Sequence, residues 1–287
     1  MERYVTEGLL QTFQAELERE ERSPATIAKY LRDVRVFLGF QGNQRVTKES
    51  VIRFKKYLQD RYKPASVNSM LAAVNRFLKA QGWYDCLVRP LKLQRQAFRD
   101  SSRELTREEY FRLLKAAQAR GKTRLCLLMQ TICATGIRVS ELPFITREAL
   151  NVGRATVCLK GKTRTVLLPA ALCRALKAYL KDRGNPGGSV FVTRSGRPLD
   201  RSNILHDMKA LCRWAGVDPE KVYPHNLRHL FACQYYQEVK DLSRLADILG
   251  HTNVNTTRIY TRASGAEQRR QMECLGLVLG EGKKNTS

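Results

Sequence analysis

The chain has 287 residues, of which 43% are hydrophobic, enough to bury one large core or two ordinary ones, and two domains is the expectation for that length. Lys and Arg number 51 against 27 Asp and Glu, a formal charge of +24. Self-repulsion on that scale calls for a polyanionic partner, nucleic acid ahead of an anionic membrane. No stretch is apolar for the length that a membrane helix needs, and the opening MERYVTEGLLQTFQAELERE is amphipathic and acid-containing, unlike a secretory leader.

The first third reads as helical. In SPATIAKYLRDVRVFLGF, Ser23 is a good N-cap with Pro24 at the first helical position, and Ile27, Tyr30, Leu31, Val34, Phe37 and Leu38 recur at helical spacing. Lys29, Arg32 and Arg35 fall on the other side. Two more helical segments follow, TKESVIRFKKYLQDRY and SVNSMLAAVNRFLKAQ, separated by Lys63, Pro64 and Ala65. Together they predict a small helical bundle with a cationic face, the same face that simple solvation of charge would give.

Between Leu91 and Glu104 the periodicity lapses into polar, basic sequence ending KLQRQAFRDSSRE, a linker signature. Thr106 and Glu109 then stand at capping-box spacing before Tyr110, Phe111, Leu113 and Leu114, so a second domain opens near Arg103. An apolar helix, RLCLLMQTICAT, breaks at Gly136 and resumes with IRVSELPFI. Three short β-like runs follow, at 155–160, 164–169 and 189–193, the first two joined by the basic turn GKT. Helical patterns return from Ala170, Arg201 and His225. Strand and helix do not alternate as a parallel sheet requires, so the expected fold is mainly α with a small antiparallel β-sheet, in two domains.

The eight cysteines, Cys86, Cys126, Cys133, Cys158, Cys173, Cys212, Cys233 and Cys274, form no CxxC pair and have no tightly spaced histidines. Neither a zinc ribbon nor a disulfide framework is indicated, and most read as buried thiols of a reducing cytosol.

The polar residues that interrupt the apolar elements carry the chemistry. Arg138 follows a glycine break at a helix entrance, where a guanidinium can meet an anion, or can simply pair with Glu141 one turn away. In PHNLRHLFACQYY, His225 and Arg228 are three apart and share a helical face. His229, four after His225, invites a zinc reading, but the position after the first His is Asn226 and not the Glu that a metalloprotease helix needs. Taken singly, His225 equally suits a core histidine. Lys160 ends a strand and Lys162 lies in the turn after it, and spacing does not separate their roles. Tyr260, nine positions after His251, could be an ordinary half-buried packing group.

As a set these residues have a chemical logic. Arginines, a lysine, imidazoles and a phenol, in a +24 chain without a metal box or a glycine-rich nucleotide loop, suit a phosphodiester attacked by tyrosine. The arginines would clamp the non-bridging oxygens, and a phenol of pKa about 10 needs nearby cations and a histidine base to attack at neutral pH.

The ordered motifs ATGIRVSEL, LKGKTRTVLLP, HNLRHLFA and LGHTNVNTTRIYTR resemble the four catalytic signatures of the tyrosine recombinase (phage integrase) family. The first hundred residues more loosely resemble its helical, SAM-like core-binding domain. The resemblance implies residues 1–94 as core-binding domain, 95–104 as linker, 105–270 as catalytic domain and 271–287 as a C-terminal segment. In that last segment Met272, Leu275, Leu277, Val278 and Leu279 form an apolar patch that docks on a neighbouring protomer or packs on its own domain. It implies Arg138 and Arg228 as phosphate-binding arginines, Glu141 as the acid supporting the first, His225 in proton transfer and His251 on the scissile phosphate. It implies Lys160, or Lys162 in its place, as the acid that protonates the leaving 5′ oxygen. Tyr260 is then the nucleophile, presented by a helix that His251 opens, and His229 is structural.

The implied activity is site-specific recombination of duplex DNA through a 3′-phosphotyrosyl intermediate and a Holliday junction. No cofactor or metal is implied, and accessory DNA-bending or directionality factors are possible partners. Family members clasp DNA between the domains and act as homo-tetramers on two sites. The resemblance is to compact, Xer-like and transposon-associated members without an arm-binding domain, working in the bacterial cytosol at the nucleoid. Two other activities fit the same composition: a type IB topoisomerase, which would relax plasmids without a specific site, and a noncatalytic DNA-binding regulator, which would have no use for the polar set.

Overall fold

The structure is a computed structural model that describes residues 3–4, 6–93, 101–159, 161–183, 188–193, 195–251, 253–261, 269–270 and 272–275. The chain divides into two compact units, Met1–Arg95 and Gln96–Ser287.

The first unit is a bundle of α1 (Glu7–Arg19), α2 (Pro24–Gln41), α3 (Lys48–Gln59) and α4 (Pro64–Ala80). Each start has a local cause. Thr6 caps α1, Thr47 and Ser50 form a reciprocal capping box on α3, and Pro24 and Pro64 supply a preset φ at the first turns of α2 and α4. Pro64 therefore opens α4 and is not a spacer before it. Of the apolar face expected on α2, Ile27, Leu31, Val34 and Phe37 are buried, and Tyr30 and Leu38 pack at its edge. The core is built on phenylalanines, with Phe13 edge-on to Phe77 at 5.4 Å and Phe37 to Phe54 at 5.0 Å. Asn75 and Asn68 on α4 each exchange two hydrogen bonds with the backbone, of Val88 and Leu91 respectively, which ties down the chain leaving the bundle.

The second unit runs α5 (Arg107–Ala119), α6 (Thr123–Thr135), a 3-10 turn (Val139–Phe144), α7 (Arg147–Val152), β1 (Arg154–Leu159), β2 (Lys162–Leu167), α8 (Ala170–Arg183), α9 (Arg201–Ala215), α10 (Pro224–Val239) and α11 (Leu242–Leu249). Thr106 and Glu109 make both capping-box bonds on α5, at 3.1 and 2.9 Å. α6 packs against α5, α8 and α10 and is the apolar centre of the unit, with Leu128, Met129 and Ile132 enclosed. β1 and β2 form a two-stranded antiparallel hairpin in which Leu159 faces Lys162. Lys162 thus begins a strand, where sequence had placed it in the turn. The run at 189–193 is not a third strand: Ser189 and Val192 make only isolated bridges, to Thr146 and Pro198. Val190 and Phe191 are consecutive and both buried, so this segment is pinned by side chains without the alternation a strand edge needs.

Among the described residues no helix is long and apolar enough to cross a membrane. Of the cysteines, Cys86, Cys126, Cys173, Cys212 and Cys233 are buried, Cys133 is intermediate, and Cys158 and Cys274 are exposed. Met272 and Leu275 of the C-terminal segment are exposed, while Leu277, Val278 and Leu279 lie outside the described residues.

Candidate active site

α6 ends at Gly136, whose left-handed φ of 64° turns the chain sharply. A Cβ there would lie 2.5 Å from the Phe231 ring, so both the backbone angle and the space require glycine. Two residues on, Arg138 caps the 3-10 turn. Its backbone N–H donates to Glu141 Oε2 at 2.8 Å and its Nη1 to Glu141 Oε1 at 2.9 Å, while Nη2 reaches the Gly250 carbonyl at 3.3 Å. Arg138 thus pairs with Glu141, while its side chain remains 39% exposed and open to solvent.

α10 begins with Pro224, and Asn226 anchors that first turn by donating to the Lys221 and Arg103 carbonyls at 2.7 and 3.1 Å. One turn further, Arg228 is 2% exposed. Its guanidinium donates to the Gly136 carbonyl at 2.5 Å and the Leu249 carbonyl at 2.7 Å, and lies 3.1 Å from His251 Nε2. The carbonyls are those left unpaired where α6 and α11 end, so the helix termini become the cradle of a buried cation.

α11 ends at Gly250, again left-handed at φ 63°, and His251 follows directly. A guanidinium can only donate, so His251 Nε2 accepts from Arg228 and the ring proton sits on Nδ1, donating to the buried Thr257 hydroxyl at 2.8 Å. Between His251 and Tyr260 the chain forms two short 3-10 turns, Val254–Thr256 and Arg258–Thr261. The helix expected to open at His251 is absent because Asn253 caps only a single turn and Thr257 is turned inward to hold the histidine. Tyr260 is 3% exposed. Its ring lies between His229, edge-on at 5.0 Å, and His251, stacked at 6.3 Å. His229 also contacts Cys233 Sγ at 3.5 Å and Glu104 Oε1 at 3.7 Å.

Lys160 lies outside the described residues. Beside it Gly161 has φ 71°, and Lys162 opens β2. The hairpin carries a residue that the motif reading passed over. Arg164 donates from Nη2 to Glu141 Oε2 at 2.6 Å, from Nε to Glu141 Oε1 at 3.4 Å and from Nη1 to the Ile248 carbonyl. Glu141, itself 3% exposed, is thus held between two arginines.

The electrostatics follow from crowding cations into a dry place. Burial pulls the Arg228 pKa down to about 10, with the Arg138 charge adding to it. Burial and then the charges of Arg228 and Arg138 pull His251 down to about 4 and lower His225 as well. The neutral form is therefore favoured at both rings. Burial pushes the Glu141 carboxyl up, but its bonds to Arg164 and Arg138 outweigh that and keep it below the usual range. Burial raises the Tyr260 phenol, against the pull of the Arg228 charge and hydrogen bond.

Arg138, Arg201, His225 and Arg228 line a cleft of about 380 Å³. The carboxylate there, Asp200, is engaged in capping α9 through the Ser202 and Asn203 N–H groups. The cleft is therefore cationic and suited to a phosphodiester; Tyr260 does not line it and connects to it through His251, which stacks on the phenol and meets Arg228. Among the described residues no group of three or more His, Cys, Asp or Glu side chains could hold a metal ion. The first unit has a wider basic cleft of about 730 Å³, lined by Lys48, Lys55, Lys56 and Arg89 together with Asp60, and no tyrosine, serine, threonine or cysteine is among its lining residues.

A model of the phage integrase family matches residues 103–267, and one of the phage integrase N-terminal SAM-like domain matches residues 10–83. Tyrosine recombinase XerA of Thermococcus kodakarensis is 30% identical over 281 residues, covering 94% of this chain and 96% of that protein. The crystal structure of a XerA recombinase is 28% identical, with a TM-score of 0.51, over 96% of this chain and 100% of that one. A lambda integrase dimer bound to a COC′ core site shares the fold with a TM-score of 0.73 at 16% identity, over 98% of this chain and 99% of that one.

Proposed function

This chain belongs to the phage integrase family, and from that premise we propose that it is a site-specific DNA recombinase, a tyrosine strand transferase that cuts and rejoins duplex DNA. The observation that carries this reading is the convergence on one cleft of Arg138, His225 and Arg228, with Tyr260 stacked on the His251 ring that meets Arg228.

In the proposed reaction Arg138 and Arg228 bind the non-bridging oxygens of the scissile phosphate. The Tyr260 oxygen attacks phosphorus and the bond from phosphorus to the 5′ oxygen breaks. His225 takes the phenolic proton, and the hairpin lysine, Lys160 or Lys162, gives a proton to the departing 5′ oxygen. A 3′-phosphotyrosyl link and a free 5′-hydroxyl result. The link keeps the energy of the broken diester, so a 5′-hydroxyl from a second duplex can reseal the strand by the reverse steps. An arriving phosphate gives Arg228 an anionic acceptor and releases His251 Nε2, which takes up a proton and donates to the phosphate.

Residues 1–94 act as the core-binding domain, with the Lys48, Lys55, Lys56 and Arg89 cleft offering cations to backbone phosphates. Residues 95–104 are the linker and 105–270 the catalytic domain. Strand exchange proceeds in a homo-tetramer on two sites through a Holliday junction, the segment from 271 docks on the neighbouring protomer, and the protein works at the nucleoid in the cytosol with or without directionality factors.

The test uses duplexes from DNA flanking the gene, nicked near candidate sites so that the freed 5′ end diffuses away, and reads a covalent protein–DNA band on a denaturing gel. Wild type should form the band without added metal, and Tyr260→Phe should bind the same DNA without forming it. A band with Tyr260→Phe would reject Tyr260 as nucleophile. Binding without any band across a randomised site library would replace this reading with that of a noncatalytic DNA-binding protein.

A further inference from the structure

Arg138 is aimed at the cleft by two acceptors, Glu141 Oε1 and the Gly250 carbonyl. Both are held from behind by one side chain. Arg164 grips Glu141 through Nη2 and Nε, and its Nη1 bonds the Ile248 carbonyl in the turn that carries Gly250. The stem of Arg164 lies flat over Gly250, where a Cβ would come within 2.5 Å of Arg164 Cδ. The Arg164 side chain is 14% exposed against 39% for Arg138, each of its three nitrogens bonds a protein acceptor, and it is not among the residues that line the cleft, so it stands behind the cleft and not in it.

We propose that Arg164 is a positioning residue for strand cleavage: it touches no DNA and works by fixing the two acceptors that aim Arg138. The proposal rests on the reading of Arg138 as a phosphate-binding group. A buried carboxylate released from Arg164 swings to meet Arg138 with both oxygens and draws the guanidinium away from the cleft. The 248–250 turn loses its tie to β2 at the same time. A lysine at this position supplies one point charge where a planar fork serves a carboxylate on one side and a carbonyl on the other. The role thus calls for arginine in particular, which a requirement for positive charge alone would not.

The experiment compares wild type, Arg138→Ala, Arg164→Ala and Arg164→Lys by DNA affinity, urea midpoint and single-turnover cleavage of a nicked duplex. Each is then repeated with a methylphosphonate at the scissile position. Replacing one anionic oxygen by methyl leaves a neutral centre with less need of a cationic clamp. The expected result is that both Arg164 variants bind DNA within about twofold of wild type and that Arg164→Ala cleaves about a hundredfold more slowly. On the methylphosphonate the defects of Arg138→Ala and Arg164→Ala should shrink by the same factor. A merely structural staple would slow both substrates equally, so recovery of Arg138→Ala without Arg164→Ala overturns the proposal. No recovery of Arg138→Ala rejects the reading of Arg138 itself. Should Arg164→Ala fail to fold, Arg164→Lys carries the test, and wild-type cleavage by a folded Arg164→Lys also overturns it.

Discussion

Gly136, Gly153, Gly216 and Gly250 each end a helix in the left-handed region, with φ of 64°, 75°, 59° and 63°, yet they should not respond alike to alanine. Placing a Cβ at such an angle costs about 1 kcal/mol wherever it occurs. At Gly153 and Gly216 nothing lies within 4 Å of the new atom, so that is the whole effect. At Gly136 the Cβ would stand 2.5 and 2.7 Å from the Phe231 ring and 3.0 Å from Leu249, and overpacking adds about 1–3 kcal/mol. At Gly250 it would displace Arg164 from its bonds to Glu141 and Ile248, an increment of similar size, for a total of about 2–4 kcal/mol at either site. The carbonyls of Gly136 and Gly250 are also acceptors for Arg228 and Arg138, so these two variants should cleave a nicked duplex at least about tenfold more slowly. Gly153→Ala and Gly216→Ala should cleave at the wild-type rate. Urea unfolding and single-turnover cleavage on the four variants decide it. Equal destabilisation throughout, or wild-type cleavage by folded Gly136→Ala and Gly250→Ala, would refute the argument that these turns aim the arginines.

With a formal charge of +24 and cationic clefts in both units, DNA affinity should fall by about 10³ or more between 50 and 200 mM salt, and a shallow slope in a filter-binding titration would count against extensive phosphate contact. The folded protein holds His251 at a pKa of about 4, below the 6.5 of an unperturbed histidine, so between those values the unfolded chain binds more protons. That stability is complete above pH 6.5 and is lost as pH falls toward 4. Unfolding free energies from urea titrations at pH 7.5 and 5 should differ by about 1–2 kcal/mol after allowance for solvent at the ring, and His251→Gln should flatten the difference. Glu21 adopts φ 55° just after α1, so Glu21→Gly should stabilise the first unit by about 0.5–1 kcal/mol without changing cleavage, as thermal unfolding and the gel assay would report.

Local signals were the legible ones. Ser23 with Pro24, and Thr106 with Glu109, mark helix starts because such signals are complete within four residues, although at α2 the start rests on the preset φ of Pro24, Ser23 making no side-chain cap bond. Gly136 marks a helix end for the same kind of reason. The run at 189–193 misled because its apolar, β-branched composition says that it is buried, while strand pairing depends on which backbone lies alongside. The helix expected after His251 dissolves into 3-10 turns because Thr257 is bonded to His251, a tertiary demand that no propensity contains. Arg138, Glu141, His225, Arg228, His251 and Tyr260 could be picked out by motif order. Arg164 could not: it is one basic residue in a basic hairpin, and its partners are Glu141, 23 positions before it, and Ile248, 84 after it.

The cradle of Arg228 has an evolutionary side. Two of its acceptors, at Gly136 and Leu249, are main-chain carbonyls, and no codon change deletes a carbonyl. Side chains around the site can drift without unmaking these contacts, provided the path of the backbone at the two turns is kept. Selection therefore has little to guard by way of hydrogen-bonding partners and much to guard in two glycines and the ends of two helices. A lineage built this way can exchange most of its surface, and with it the DNA sequence it prefers, while the buried guanidinium stays where it is.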